Sequence, residues 1–245
     1  MKEAAPQASA SLGRRIVAEG VGTALLLAGV VGSGIMGERL AGGNVAIALL
    51  ANTLATGAVL VALILTFGPV SGAHFNPAVT LTDAWQGGLA WGEVPAYVVV
   101  QLIGAFLGVG LAHLMFEHPL FALSLHMRAG AAQLLSEFVA TFGLVAVIRG
   151  CGQRQATAFA VGAYIAAAYW FTASTSFANP AVTLARAATD TFAGIRPVDA
   201  PGFIAAQVLG AITAAGLFAW LTPASAEARQ VVTTAAAAPR AQRQR

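Results

Sequence analysis

The sequence predicts an all-α membrane protein with six transmembrane helices and two re-entrant half-helices, arranged as two inverted repeats. Of its 245 residues, 58% are hydrophobic and 9% are charged, whereas soluble domains average about 45–50% and about 25%. The hydrophobic residues are grouped in long blocks with almost no charge. The segment Asn-Pro-Ala-Val-Thr-Leu occurs twice, at Asn76–Leu81 and at Asn179–Leu184.

The charge-poor blocks of the first half define three spans, because a helix needs about 20 apolar residues to cross a bilayer. We expect these spans at Ile16–Ile35, about Val45–Phe67 and Val94–Phe116. The block Leu40–Thr82 has no Lys, Arg, Asp or Glu and is much longer than one span. It should therefore also contain a turn at Gly68–Gly72 and a short helix that begins at Asn76.

The second half repeats this order. Its spans are predicted at Ala131–Ile148, from Gln155 to about Phe171, and at Pro201–Leu221, with a short helix from Asn179. We assign residues 13–222 to one membrane domain, with repeats at about 14–116 and 131–221. Residues 1–12 and 223–245 are predicted to be disordered, since they are polar or rich in Ala, Gln and Arg.

Charge distribution sets the predicted orientation. Six spans place both termini on one side, and nine of the 13 Lys and Arg residues fall on that side. Because basic residues favour the cytoplasm, we expect both termini there and the protein in the cell (inner) membrane.

The net charge of +3 forms no basic face, so no nucleic-acid partner is expected. No cofactor is expected either, and no His, Cys or carboxylate spacing predicts a metal site.

Two further motifs recur in the same order. Glu-x-x-x-Thr begins at Glu19 and Glu137, and Gln-x-x-Gly-Ala begins at Gln101 and Gln207. The chain is therefore read as a duplication. Each half has three spans, an odd number, so the second half must lie upside-down relative to the first. The two short helices would then enter from opposite sides and meet near the midplane.

The Asn-Pro pairs predict the starts of these short helices, with Asn as the N-cap and Pro at the first helical position. Helix capping alone would explain one copy, but two related copies in charge-free sequence indicate a polar pathway. Asn76 and Asn179 would each offer an amide donor where the helices meet. Residues 68–75 and 172–178 would present backbone carbonyls to a water-filled cavity, and the helix N-termini would disfavour cations.

The segment Ser71–Thr80, the second Asn-Pro-Ala and the paired Glu and Gln motifs resemble the aquaporin, or major intrinsic protein, family from about Arg14 to Leu221. The resemblance implies passive permeation of water or small uncharged solutes across the lipid bilayer, usually by a homotetramer with one pore per subunit. It assigns the pore motifs to six residues: Asn76, Pro77, Ala78, Asn179, Pro180 and Ala181.

One position departs from the family pattern. Members usually carry Arg directly after the second Asn-Pro-Ala, where this chain has Val182. Counting from the motifs places the other filter residues at Thr56, Ser176 and Ala167, with Tyr169 as the alternative to Ala167. A filter without arginine should be wide enough for glycerol, urea or metalloid acids such as arsenous acid. The alternatives are a strictly water-selective channel and, from a different class, a secondary transporter.

Four other residues carry open interpretations. Arg186 lies one turn beyond Val182 and could guard the outer vestibule, or lie at the interface, where it would either extend its charge towards water or pair with Asp190. Glu19 and Glu137 could relay protons, but their symmetric placement favours support of the re-entrant loops. His74 could gate the pore, but it is expected to pack behind the first loop and contribute to this support. The spans contain no Asp, and no motif indicates an enzyme.

Overall fold

The computed structural model describes residues 10–222, except for the side chain of Arg154, and this part of the chain is helical without strands. Six helices are long: α1 (Leu12–Leu40), α2 (Val45–Ser71), α4 (Val94–Met115), α5 (Ala131–Gly150), α6 (Arg154–Phe171) and α8 (Ala200–Leu221). Two are short: α3 (Pro77–Trp85) and α7 (Pro180–Arg186). The predicted all-α class is confirmed. The segments predicted to be disordered lie largely outside the described residues, and α1 begins at Leu12.

Five helices of this described part are long and apolar enough to cross a membrane: α1, α2, α4 with the 3₁₀ turn Trp91–Glu93 before it, α5 and α8. The sixth predicted span, α6, has 18 residues and is less apolar, because it begins with polar residues such as Gln155 and Thr157. It nevertheless packs along α2 and α5 as part of the same bundle. The fold is that of a multi-pass membrane protein.

The two predicted repeats are visible as two similar packing units. Helix α1 packs along α4 as α5 packs along α8, and the halves meet mainly where α2 contacts α6. Each short helix also reaches across: α3 contacts α8 and α5, and α7 contacts α4. We call the side where α1 begins and α8 ends the terminal side, and the opposite side the distal side.

Glycines allow the long helices to touch at their backbones. A Cβ atom at Gly104 of α4 would lie 2.3 Å from the carbonyl oxygen of Gly20 in α1. The corresponding position in the second half, Gly210 of α8, would place a Cβ 2.4 Å from the carbonyl oxygen of Phe138 in α5. Such close crossings are typical of membrane helices, where small residues permit tight van der Waals packing.

The end of α2 differs from the expectation. The predicted turn at Gly68–Gly72 is wrong over most of its length, because α2 continues through Pro69 to Ser71. Pro69 lies in the last turn and has no N–H, so the carbonyl of Leu65 loses its usual helical partner. The helix ends at Gly72, whose φ of 93° is a left-handed cap that glycine adopts without steric strain.

Candidate functional site

A cavity of about 800 Å³ runs between the two halves. Its terminal end is lined by Arg15, Asp83 and Arg149, and its distal end by Tyr169 and Arg186. Between the ends the walls are mainly apolar, and their side chains come from α1, α2, α3, α5 and α6: Leu26, Val30, Leu60, Ile64, Val79, Leu144, Ile148, Val161 and Ile165.

The two motif asparagines lie side by side where α3 and α7 begin. Asn76 Oδ1 accepts from the backbone N–H of Ala78 at 2.9 Å, which fixes the amide as the N-cap of α3. Its Nδ2 donates to the carbonyl oxygen of Ala178, in the other half, at 2.8 Å. One of the two amide hydrogens of Asn76 therefore forms a hydrogen bond between the two halves. Asn76 also lines the cavity.

Asn179 repeats this arrangement. Its Oδ1 accepts from the N–H groups of Ala181 at 3.0 Å and Val182 at 3.3 Å, and its Nδ2 donates to the carbonyl oxygen of Phe75 at 2.8 Å. Within the described residues the second N–H of each asparagine amide has no protein partner. The two amides therefore present two fixed donors to the cavity. Pro77 and Pro180 each occupy the first turn of a short helix.

The loops before the asparagines share an unusual backbone. Ala73 and Phe75 in the first loop, and Ser176 and Ala178 in the second, have φ between 48° and 52°. These are the third and first positions before each asparagine. Such left-handed conformations cost of order 1–3 kcal/mol each in non-glycine residues, and they persist only where surrounding contacts hold them.

The buried carboxylate of Glu19 supplies these contacts in the first half. It accepts hydrogen bonds from the backbone N–H of His74 at 2.9 Å and of Phe75 at 2.7 Å, and from the Ser71 hydroxyl at 2.7 Å. Gln101 Nε2 donates to it as well, at 2.9 Å. Three of these partners lie in the first loop or at the end of α2, and the fourth, Gln101, lies in α4. The carboxylate therefore connects the first loop to α4.

Glu137 has the same role in the second half. Its carboxylate accepts from the N–H groups of Phe177 at 2.8 Å and Ala178 at 2.9 Å, and from Gln207 Nε2 at 2.6 Å. Both glutamates are fully buried. Neither lines the cavity, so this geometry favours loop support over a proton relay.

Two threonines complete the symmetric networks, and sequence reasoning missed them. Gln101 Nε2 also donates to Thr80 Oγ1 at 2.9 Å, and Gln207 Nε2 to Thr183 Oγ1 at 2.8 Å. The Thr80 hydroxyl in turn donates to the carbonyl oxygen of Asn76 at 3.0 Å. The signal that could have identified both residues was present, because each is the threonine of the repeated Asn-Pro-Ala-Val-Thr segment.

At the distal end the structure corrects one filter residue. Ala167 is exposed on the outer face of α6 and does not line the cavity. Tyr169 does, with its hydroxyl 3.3 Å from Thr56 Oγ1. A shift of two residues turns a helical side chain by about 200°, so only one of the two positions can face inward. Ser176 and Val182 also line the cavity.

The position of Tyr169 leads to a test of how wide the cavity is at its distal end. We expect Tyr169→Ala to speed the passage of solutes larger than glycerol by about tenfold, because it removes a ring that narrows the distal end and roughly 1.4 kcal/mol of barrier gives that factor. Ala167→Leu should leave the rates unchanged. Solute-driven swelling of proteoliposomes measures both. Equal rates in wild type and Tyr169→Ala would show that the tyrosine does not limit the cavity.

Arg186 is buried at the distal end, with 2% of its surface exposed. Its Nε donates to the carbonyl oxygen of Ala193, and its guanidinium carbon lies 3.4 Å from the centre of the Phe177 ring. It does not pair with Asp190, whose Oδ1 accepts from the backbone N–H of Leu125 at 2.9 Å. The interpretation of Arg186 as an interfacial residue paired with Asp190 is therefore wrong.

The distal side carries further positive charge. Arg128 reaches inward from the loop before α5, donates to the carbonyl oxygen of Ser174 at 3.1 Å and lies 5.0 Å from the Phe177 ring. In that loop, burial lowers the pKa of His126 below its ordinary value, and the charges of Arg128 and Arg186 lower it further.

At the terminal end His74 lies in the cavity wall. Its Nδ1 is 3.2 Å from Thr80 Oγ1, and its Nε2 is 3.6 Å from Asp83 Oδ2. Asp83 also lies 3.6 Å from Arg149 Nη2. The ring packs against Tyr97, as support of the loop requires, but His74 also lines the cavity. Within the described part of the chain, no three His, Cys, Asp or Glu side chains are grouped to bind a metal ion.

Comparison with known sequences gives a consistent result. The profile of the major intrinsic protein family matches residues 7–155 and 149–244. Aquaglyceroporin AqpS of Rhizobium meliloti (strain 1021) is 55% identical over 212 residues, which cover 86% of this chain and 91% of that protein. The glycerol uptake facilitator protein of Bacillus subtilis (strain 168) is 35% identical over 102 residues, 37% of each chain.

Comparison with solved structures identifies the same architecture. The aquaglyceroporin from Plasmodium falciparum superposes with a TM-score of 0.65, over 85% of this chain and 96% of that chain. The sequence identity is 21%, so this match supports the arrangement of helices and says nothing about solutes.

Proposed function

The chain belongs to the major intrinsic protein family, and from that premise we propose that it conducts small uncharged solutes passively, including glycerol and metalloid acids such as arsenous acid, in addition to water. As a family member it is a multi-pass membrane channel and not an enzyme. Two relatives are named as an aquaglyceroporin and a glycerol uptake facilitator. These names favour a solute that carries several hydroxyl groups.

The observation that carries the proposal is the fixed pair of amide donors, which lies between mainly apolar walls. Asn76 and Asn179 are each held by an N-cap bond and a bond to the other half. A hydroxyl oxygen that reaches them can accept two hydrogen bonds. The apolar walls contact the carbon–hydrogen surface of the solute. A polyol that has lost part of its hydration shell is therefore matched at both its polar and its apolar surface.

The placement of charge favours a neutral solute. Among the described residues that line the cavity, the ionisable side chains lie near its two ends. Glu19 and Glu137 are fully buried outside it and hydrogen-bonded to the loops. A secondary transporter binds a coupling ion near the midplane, and no carboxylate among the described lining residues lies there.

The distal lining favours a solute larger than water. Val182 is apolar where the family usually has arginine, and Thr56, Tyr169 and Ser176 provide hydroxyl groups. With Tyr169, the opening that these four residues surround is narrower than it would be with alanine at position 169. Arsenous acid, As(OH)₃, presents three hydroxyl groups as glycerol does, so the same donors and acceptors can serve both solutes.

We also propose a homotetramer in the inner membrane, with one pore per subunit and both termini in the cytoplasm. Large apolar side chains are exposed along the outer faces of the bundle, as lipid and subunit contacts require. The excess of Lys and Arg on the terminal side supports the orientation.

Stopped-flow light scattering of proteoliposomes tests the proposal. After a step in glycerol or arsenous acid, we expect rapid shrinkage as water leaves, followed by fast re-swelling as the solute enters. Val182→Arg should retain the shrinkage and lose the re-swelling, because it places a long charged side chain in the distal lining. Val198→Arg adds the same charge at a position that is 75% exposed, and it should behave as wild type.

The other outcomes discriminate the alternatives. Rapid shrinkage without re-swelling in wild type would indicate a strictly water-selective channel. Solute entry that saturates and depends on an ion gradient would indicate a secondary transporter.

A further inference from the structure

We propose that Arg186, one turn beyond Val182, forms the distal constriction of the pore and, together with the Ser176 hydroxyl, binds the hydroxyl oxygens of a passing neutral solute. Arg186 would thus supply, from a displaced position, the charge and the donors that Val182 lacks. The inference rests on the proposed function and names the group that selects among neutral polyols.

The first argument is the unused hydrogen-bonding capacity of Arg186. Its Nε donates to the carbonyl oxygen of Ala193, but its two terminal nitrogens have no partner within residues 10–222. No carboxylate among those residues forms an ion pair with it. A buried guanidinium without such a partner is costly, and here it lines the cavity. The position is consistent with donors kept for a solute.

The second argument is that the guanidinium is fixed in place. Its carbon lies 3.4 Å from the centre of the Phe177 ring, so the planar group stacks on the aromatic face. The bond to Ala193 holds its other edge. Donors held in this way discriminate between solutes better than a mobile side chain does, because the site has already lost its conformational freedom.

A buried hydroxyl in the lining of the same cavity is the independent third observation. Ser176 is 2% exposed, lines the cavity, and its Oγ has no hydrogen-bond partner. Buried hydroxyl groups in proteins are nearly always paired. An oxygen acceptor and a donor from the same polyol would satisfy Arg186 and Ser176 together, which points to neutral solutes with neighbouring hydroxyl groups.

The duplicated fold provides a comparison within the chain. Asp83 occupies in the first half the position that Arg186 occupies in the second, seven residues after the motif asparagine. Asp83 lies 3.6 Å from both Arg149 and His74, so its charge is compensated. Arg186 has no such compensation, and the asymmetry places an uncompensated donor at one end of the pore only.

Three variants and one control test the assignment in proteoliposomes containing the full chain. Arg186→Leu removes the donors and the charge, Arg186→Lys keeps the charge without the planar group, and Ser176→Ala removes the hydroxyl. Arg196→Gln removes another distal arginine, which pairs with Asp199 outside the cavity. The readout is the swelling rate for glycerol, erythritol and xylitol, each divided by the water rate of the same preparation.

We expect Arg186→Leu to raise the xylitol-to-glycerol ratio about tenfold, which corresponds to about 1.4 kcal/mol of discrimination. Arg186→Lys should fall between that variant and wild type, and Ser176→Ala should lower glycerol relative to water. A xylitol-to-glycerol ratio equal to that of wild type in both Arg186 variants would overturn the inference. A purely structural arginine would lower all rates together and leave the ratios unchanged.

Failure of the proposed function gives a different pattern. If the wild-type protein passes water and no glycerol, the proposed function is wrong, and Arg186→Leu still decides the inference: glycerol entry in that variant supports it, and its absence overturns it. If Arg186→Leu does not conduct water, Arg186→Lys and Ser176→Ala provide the same ratios.

Discussion

Glu137→Leu is expected to abolish solute flux and to destabilise the folded protein by several kcal/mol. Leucine has nearly the same length but accepts no hydrogen bonds, so the N–H groups of Phe177 and Ala178 and the amide of Gln207 lose their acceptor. Each unsatisfied buried donor costs roughly 1–3 kcal/mol, and native proteins typically have a net stability of about 5–15 kcal/mol. Without this carboxylate the left-handed conformations of Ser176 and Ala178 are no longer held.

Thermal unfolding in detergent and swelling of proteoliposomes measure the two effects. Glu137→Gln keeps one acceptor oxygen, so we expect it to lie between leucine and wild type. Glu38→Gln changes an exposed carboxylate on the distal side and should alter neither quantity. If Glu137→Leu kept the wild-type midpoint and flux, the carboxylate would not be what holds the second loop.

Gly104→Val is expected to prevent the native packing of α1 against α4. Its Cβ would lie 2.3 Å from a backbone oxygen of Gly20, and backbone cannot rotate away as a flexible side chain can. The helices would have to separate by about 1 Å or more to restore ordinary contact distances. Separation would also lengthen the 2.9 Å bond from Gln101 to Glu19, so the first loop should be affected as well.

Size-exclusion chromatography and thermal unfolding of the purified protein test this prediction. We expect aggregated protein or a midpoint lowered by roughly 6–12 °C, since overpacking costs up to about 3 kcal/mol and a shift of 2–4 °C per kcal/mol is typical at about this chain length. Gly216→Val is the matched control, because no atom lies within 4 Å of a Cβ there. Equal behaviour of the two variants would contradict the proposed packing.

The helices and their inverted arrangement could be predicted because the information is local. Long charge-poor blocks define membrane helices regardless of packing, and Asn-Pro at the start of a short helix is a capping signal in itself. Repetition of Glu, Asn-Pro and Gln in the same order then fixes the symmetry. Among the six long helices, α6 is not one of the five that are long and apolar enough to cross a membrane by themselves, yet its place in the repeat identified it.

The distal lining could not be predicted because it depends on how helices are rotated. The segment Tyr164–Tyr169 is apolar on all sides, so no periodicity in it distinguishes Ala167 from Tyr169. The rotation is set by the contact between Gly57 of α2 and Gly162 of α6, where a Cβ on Gly162 would lie 2.8 Å from the carbonyl oxygen of Gly57. Counting along the chain contains no information about that contact.

The environment of Arg186 was likewise out of reach of the sequence. An arginine near the end of a short membrane helix is usually found at the interface, where its charge remains hydrated. Here the chain after α7 folds back and offers the carbonyl oxygen of Ala193, while Phe177 approaches from before the helix. Both contacts depend on the shape of connections that have no regular pattern.

The reciprocal bonds of the motif asparagines constrain the order in which the protein can be completed during synthesis. Asn76 bonds to Ala178 and Asn179 to Phe75, across separations of 102 and 104 residues. When the ribosome has released the first half into the membrane, the amide of Asn76 still lacks this acceptor. The first loop can therefore be finished only after the second has been inserted, which makes closure of the pathway a late event.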